Sequence, residues 1–140
     1  MLVQRIADGK PLKLVEGGEF EIQPVFVDDV ARLCADLVGY ERAFGATFNV
    51  AGPEVVTARR YYGLIAEHLG TPLVVEDVPR ATHLSDHPED AAYLCDRTYD
   101  LGDLDDKSFS RPMTKLKDGL RETLCDRAQP SPASRMSLTE

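Results

Sequence analysis

His83 and His87 stand four residues apart, with Asp86, Glu89 and Asp90 beside them. Imidazoles and carboxylates grouped this way have the composition of a divalent-metal site. Pro88 breaks the helix that would align both rings, so a solvated loop is the simpler account. Tyr61 and Tyr62 offer phenols for general-acid work, but a phenol needs a neighbouring cation, such as a lysine one helical turn on at the fourth position, to lower its pKa. Ile65 and Ala66 occupy those positions, which leaves packing or surface roles for both tyrosines. Serine, histidine and aspartate all occur, without the strand–turn–helix context of a nucleophile elbow. There is no G-x-G-x-x-G, P-loop, CxxC or HExxH motif. Arg59, Arg60 and Arg80 lie closest to helix starts or strand ends, where an anion can be held. For Arg59 and Arg60 a solvated surface position is the simpler account. Cys34, Cys95 and Cys125 fall within apolar helical patterns and read as small buried hydrophobes.

The element best placed to organise these residues is QPVFVDDVARLCADLV, from Gln23 to Val38. Pro24 suits the first position of a strand, and Val25, Phe26 and Val27 continue it with β-branched and aromatic side chains. Asp28 is then the expected N-cap of a helix, worth about 0.5–2 kcal/mol. Val30, Leu33, Cys34, Leu37 and Val38 recur at helical spacing behind it. Upstream, Met1 to Asp8 reads as the last turns of a helix with no start signal, closed at Gly9. Pro11–Val15 reads as a strand, and Glu16–Glu19 as a turn with two permissive glycines.

Downstream, Thr47–Gly52 is expected as a second short apolar strand. Thr57 is the N-cap of a helix with Tyr61, Leu64, Ile65 and Leu69 on one face and Gly70 as its stop. Pro72–Pro79 follows as a third apolar strand, a rhythm that belongs to α/β layer structures. Arg80–Asp90 reads as a polar loop. Pro88–Cys95 is a candidate short helix, Asp100 the cap of another through Leu104, and Thr114 the cap of a last helix with Leu116, Leu120 and Leu124 in one stripe. The domain is assigned to residues 1–127, and 128–140, rich in Pro and Ser, to a disordered tail.

The chain has 140 residues, enough for one domain with a real core, and is 43% hydrophobic. It carries 24 acidic and 16 basic residues, a formal charge of −8. Such a surface repels phosphate backbones, so nucleic acid is not expected as a partner. No apolar run approaches the ~20 residues of a membrane span. The N-terminus lacks the apolar core of a secretory signal, and three unpaired cysteines fit reduced thiols in a cytoplasm.

Taken in order, GKPLKLVEGGE, QPVFVDDVA, FNVAGPEVVT, the VPR after the third strand, YDLGDL and PMTKLKDGLRET resemble the C-terminal, substrate-binding part of the NAD-dependent epimerase/dehydratase family, the extended short-chain dehydrogenases. The resemblance runs from Ile6 to about Thr123. It implies an α/β fold: a small sheet of short strands with packed helices, the substrate lobe of such an enzyme without most of its Rossmann domain. It implies that the turn before FEIQP and the corner at Gln23 face a substrate, that Asn49 lies near the domain junction, and that Arg80 stands where the family commonly holds a phosphate. Gln23, Asn49 and Arg80 are therefore the expected substrate-binding residues. The family's other phosphate arginine corresponds to about Ile22, which is not cationic.

The resemblance further implies that NAD(P) and a Tyr-x-x-x-Lys pair belong to a segment upstream of Met1. This chain alone is then expected to bind no cofactor and to catalyse nothing. Its expected partners are a sugar or nucleotide-sugar-like small molecule and the missing Rossmann domain. The alternative is a stand-alone ligand-binding or protein-interaction domain derived from the same family. The two differ in whether the face toward the cofactor domain is apolar or polar.

Overall fold

The structure is a computed structural model, and it describes residues 2–102, 104, 109 and 112–128. The elements in chain order are α1 (Leu2–Ala7), β1 (Leu12–Val15), β2 (Glu21–Ile22), α2 (Val27–Leu37), β3 (Val56–Thr57), α3 (Ala58–Leu69), β4 (Val75–Val78), α4 (Arg80–Asp86) and α5 (Leu116–Ala128). Single 3₁₀ turns occupy Glu16–Gly18, Glu41–Ala43 and Pro88–Tyr93.

The core forms where the apolar faces of α1, β1, α3 and α5 meet. Ile6, Leu12, Leu14, Leu64, Ile65, Ala66, Leu120 and Leu124 make one buried cluster, with Tyr61, Tyr62 and Leu116 packed against it. Each fully buried leucine contributes about 1.5–3 kcal/mol. One of these elements, α3, carries at both ends the capping that its sequence dictates. The Thr57 side chain accepts from the Arg60 N–H, and Gly70 ends α3 at φ 66°.

The strands form two separate pairs. β1 runs parallel to β4, with Leu12 opposite Val75 and Val15 opposite Val78. β2 and β3 are antiparallel, with Glu21 opposite Thr57 and Ile22 opposite Val56. A single parallel bridge joins Ile22 to Arg97.

Several expectations are corrected. Neither Pro24–Val27 nor Thr47–Gly52 is a strand among the described residues. Apolar β-branched sequence favours extension, but a strand also needs a ladder partner. Phe26, with no side-chain bond to the helix, occupies the N-cap of α2, and Asp28 lies inside the first turn. Asp29 is the buried acid of this corner, 8% exposed. Of the apolar positions expected on α2, only Leu33 is buried, and Val38 is 82% exposed. Cys34, Cys95 and Cys125 are all exposed free thiols and not small buried hydrophobes. Arg80–Asp86 is helical because its polar sequence contains no breaker before Pro88, and polarity alone does not make a loop.

Thr114 does not cap α5. Its backbone N–H and its hydroxyl both donate to Asp29, at 2.9 Å each, while the Glu54 carboxylate takes the Leu116 N–H at the start of α5. Asp100 does accept from the Gly102 N–H, at 2.9 Å, and Gly102 and Leu104 are helical as expected, with Asp103 outside the described residues. The expected tail beyond Ala128 lies outside them too.

Candidate functional site

Three segments distant in sequence meet at the end of β2. Arg97 donates its backbone N–H to the Glu21 carbonyl at 2.8 Å, and Asp96 accepts the Glu21 N–H at 2.9 Å. Gln23 then locks the corner with both ends of its amide. Its Nε2 donates to the Gly52 carbonyl at 2.8 Å, and its Oε1 accepts the Tyr99 N–H at 2.9 Å. Gly52 must be glycine, because a Cβ there would run into the Pro24 carbonyl.

These contacts leave an open cleft of about 290 Å³ lined by Ile22, Gln23, Pro24, Tyr61, Arg97 and Tyr99. That is near the lower limit of small-ligand sites, ~300 Å³. Tyr61 comes from α3, where its ring meets Tyr62 edge-on at 5.5 Å. Among the described residues neither the Tyr61 nor the Tyr99 hydroxyl has a hydrogen-bond partner. The Arg97 guanidinium lies over the Tyr93 ring, 5.9 Å from its centroid, and has no carboxylate within ion-pair distance among the described residues. Beside the cleft, burial pushes the Tyr62 phenol above its ordinary pKa, with the Tyr61 phenol adding to the rise and the Arg97 charge opposing it.

Of the three expected substrate residues, only Gln23 lines this cleft, and its amide is committed to backbone. Asn49 donates to the Asp100 carbonyl at 3.2 Å and so fastens the same 97–100 segment from the other side. Arg80 stands apart at the start of α4, its guanidinium 5.9 Å from the centre of the Phe20 ring. Arg59 donates to the Gly17 carbonyl at 3.4 Å, and Arg60 pairs with Glu67.

The residues that sequence reasoning missed are Arg97 and Tyr99, together with a lining role for Tyr61. The run Asp96–Asp100 reads locally as a polar approach to a helix cap. Nothing in it signals pairing with Glu21 and Ile22, some 75 positions away.

The turn at Glu16–Gly18, expected to face a substrate, is tied back to β4. The Gly17 N–H donates to the Asp77 carboxylate at 2.7 Å. Gly17 and Gly18 have φ of 67° and 79°, and a Cβ at Gly18 would sit 2.8 Å from Leu14. His83 and His87 do not make a metal centre. His83 bonds Asp90 at 2.8 Å, His87 lies 3.4 Å from Glu89, and among the described residues no group of three suitable side chains can hold an ion.

No protein-family model matches the chain, and no curated protein matches it. Solved structures do. The chain is similar to a UDP-glucose 4-epimerase of Thermus thermophilus in complex with NAD, at 22% identity and a TM-score of 0.63. It is similar to the Thermotoga maritima UDP-glucose 4-epimerase with UDP-glucose, at 18% and 0.62. A third likeness is to dTDP-glucose 4,6-dehydratase of Bacillus anthracis in complex with NAD, at 21% and 0.66. The chain has the fold of part of an extended short-chain dehydrogenase. The matches cover 89%, 91% and 89% of this chain but only 37%, 39% and 36% of the respective solved chains. No described helix is long and apolar enough to cross a membrane.

Proposed function

We propose that this chain is the substrate-binding portion of an NAD(P)-dependent epimerase/dehydratase acting on a sugar or nucleotide-sugar-like substrate, and that it is not catalytically competent alone. The observation that carries the reading is the cleft at Gln23, Tyr61, Arg97 and Tyr99, built on a fold shared with part of three nucleotide-sugar enzymes. Two free phenols and a guanidinium converge there, the kind of polar set that orients a hydroxylated ligand. The role expected of Gln23 becomes one of holding the cleft's two walls together. Asn49 supports the same wall, and Arg80 is the more remote candidate.

Among the described residues, the glycine turn at Glu16–Gly18 does not fit a dinucleotide. Such a site uses a glycine turn between a strand and a helix, whose free N–H groups meet phosphate. Here the glycine turn after β1 leads into β2, and its Gly17 N–H is already bonded to the Asp77 carboxylate. A negative charge in that position repels phosphate. The resemblance puts the cofactor and the catalytic pair in another segment or partner, and the three free cysteines fit a cytoplasmic enzyme.

The stand-alone alternative requires a polar face where the cofactor domain would sit. Among the described residues, six of the eleven exposed large hydrophobics lie between residues 25 and 55: Val25, Val27, Val38, Tyr40, Phe44 and Val55. We read these side chains as part of a surface that the cofactor domain covers. The test is NAD binding and reduction by the pure chain. The expected result is neither heat of binding nor NADH absorbance with UDP-glucose present, and reduction of NAD would overturn the reading.

A further inference from the structure

We infer that Arg97 is the anion-reading residue of the cleft, and that the ligand it selects is a single sugar ring carrying one anionic group, not a nucleotide diphosphate sugar. The inference rests on the substrate-lobe reading and narrows it. Three observations carry it. The cleft, at about 290 Å³, holds a ligand of monosaccharide size. Arg97 is its one cationic lining residue among those described, so it balances one negative group and not two.

The third observation is how Arg97 is held. Its backbone is fixed by the bridge to Ile22 and the bond to the Glu21 carbonyl. Its guanidinium rests on Tyr93 and meets no carboxylate among the described residues, in a chain with a net charge of −8. An arginine left without an acid partner on so acidic a surface retains its planar fork for an incoming carboxylate or phosphate oxygen pair. Tyr61 and Tyr99 supply hydroxyls for the ring, and Ile22 and Pro24 an apolar floor.

The experiment is an amide chemical-shift titration of the 140-residue chain with glucose, glucuronate, glucose 6-phosphate and UDP-glucose. The expected result is saturable shifts at Ile22, Gln23, Arg97 and Tyr99 with one or both of the singly anionic sugars, weaker binding of UDP-glucose, and no saturation with glucose. Glucuronate and glucose 6-phosphate separate a carboxylate from a phosphate as the preferred group. Arg97→Ala is expected to weaken the anionic sugar about tenfold or more, and Arg97→Lys to recover part of that loss. Unchanged shifts elsewhere in the Arg97→Lys spectrum confirm its fold if the alanine variant fails to fold. Equal affinity for glucose, tighter binding of UDP-glucose, or an unaffected Arg97→Lys variant overturns the Arg97 inference and leaves the lobe reading standing. A cleft silent to every sugar overturns both.

Discussion

Asp29 is the side chain that, among the described residues, accepts the most hydrogen bonds. It is 8% exposed and accepts from the Thr114 N–H, the Thr114 hydroxyl and the Arg32 guanidinium, all at 2.9 Å. Asp29→Ala would leave the Thr114 N–H without its acceptor, at a cost of about 1–3 kcal/mol. Thr114→Val removes only the hydroxyl and is expected to cost less. Urea unfolding midpoints of both variants check the order, and equal midpoints would show that Asp29 is not the anchor. Tyr62 gives an alkaline prediction. Burial raises its pKa in the folded state, so its stabilising contribution is complete below the unfolded value of about 10 and is lost as pH rises through the folded one. Tyr62→Phe should therefore flatten the fall in stability above pH ~10, measured by thermal unfolding across that range. Sequence pattern found the acid-rich corner, but chose Asp28 over Asp29, because a cap is a local signal and a partner 85 positions away is not.

At the scale of elements, local signals were read correctly wherever they were sufficient. β1, β4 and α3 lie where alternation, periodicity, the Thr57 cap and the Gly70 stop put them. The failures are elements whose state depends on distant chain. Pro24–Val27 and Thr47–Gly52 have strand composition without a strand partner among the described residues, and α5 is capped by Glu54, 62 positions away. The two proposed caps predict different costs. Thr57→Ala removes a real cap and should destabilise by about 0.5–2 kcal/mol. Asp28→Ala removes only a charge from the first turn of α2, worth about 0.3–1 kcal/mol and reduced further by salt. Chemical denaturation at low and high salt distinguishes them: the Thr57 effect should persist and the Asp28 effect should fade.

For the whole molecule, the α/β class and the extended-dehydrogenase fold were legible from six ordered motifs, none of them sufficient singly. The cleft was legible only in part, since Gln23 announced itself beside Pro24 while Arg97 and Tyr99 reach it by long-range pairing. The exposed apolar side chains between residues 25 and 55 predict self-association of the isolated chain. Phe44, 70% exposed, is the largest of the strongly exposed members, and Phe44→Ser should lower the weight-average mass seen in sedimentation at high concentration without lowering stability. The most direct test of the central claim, a substrate lobe without a cofactor site, is amide shift mapping of the chain with glucuronate, glucose 6-phosphate, UDP-glucose and, separately, NAD. The account predicts saturable shifts confined to residues around Ile22–Pro24 and Arg97–Tyr99 with at least one of the sugars, and none with NAD. Saturable shifts from NAD at the Glu16–Gly18 turn, or a cleft silent to every sugar, would contradict it.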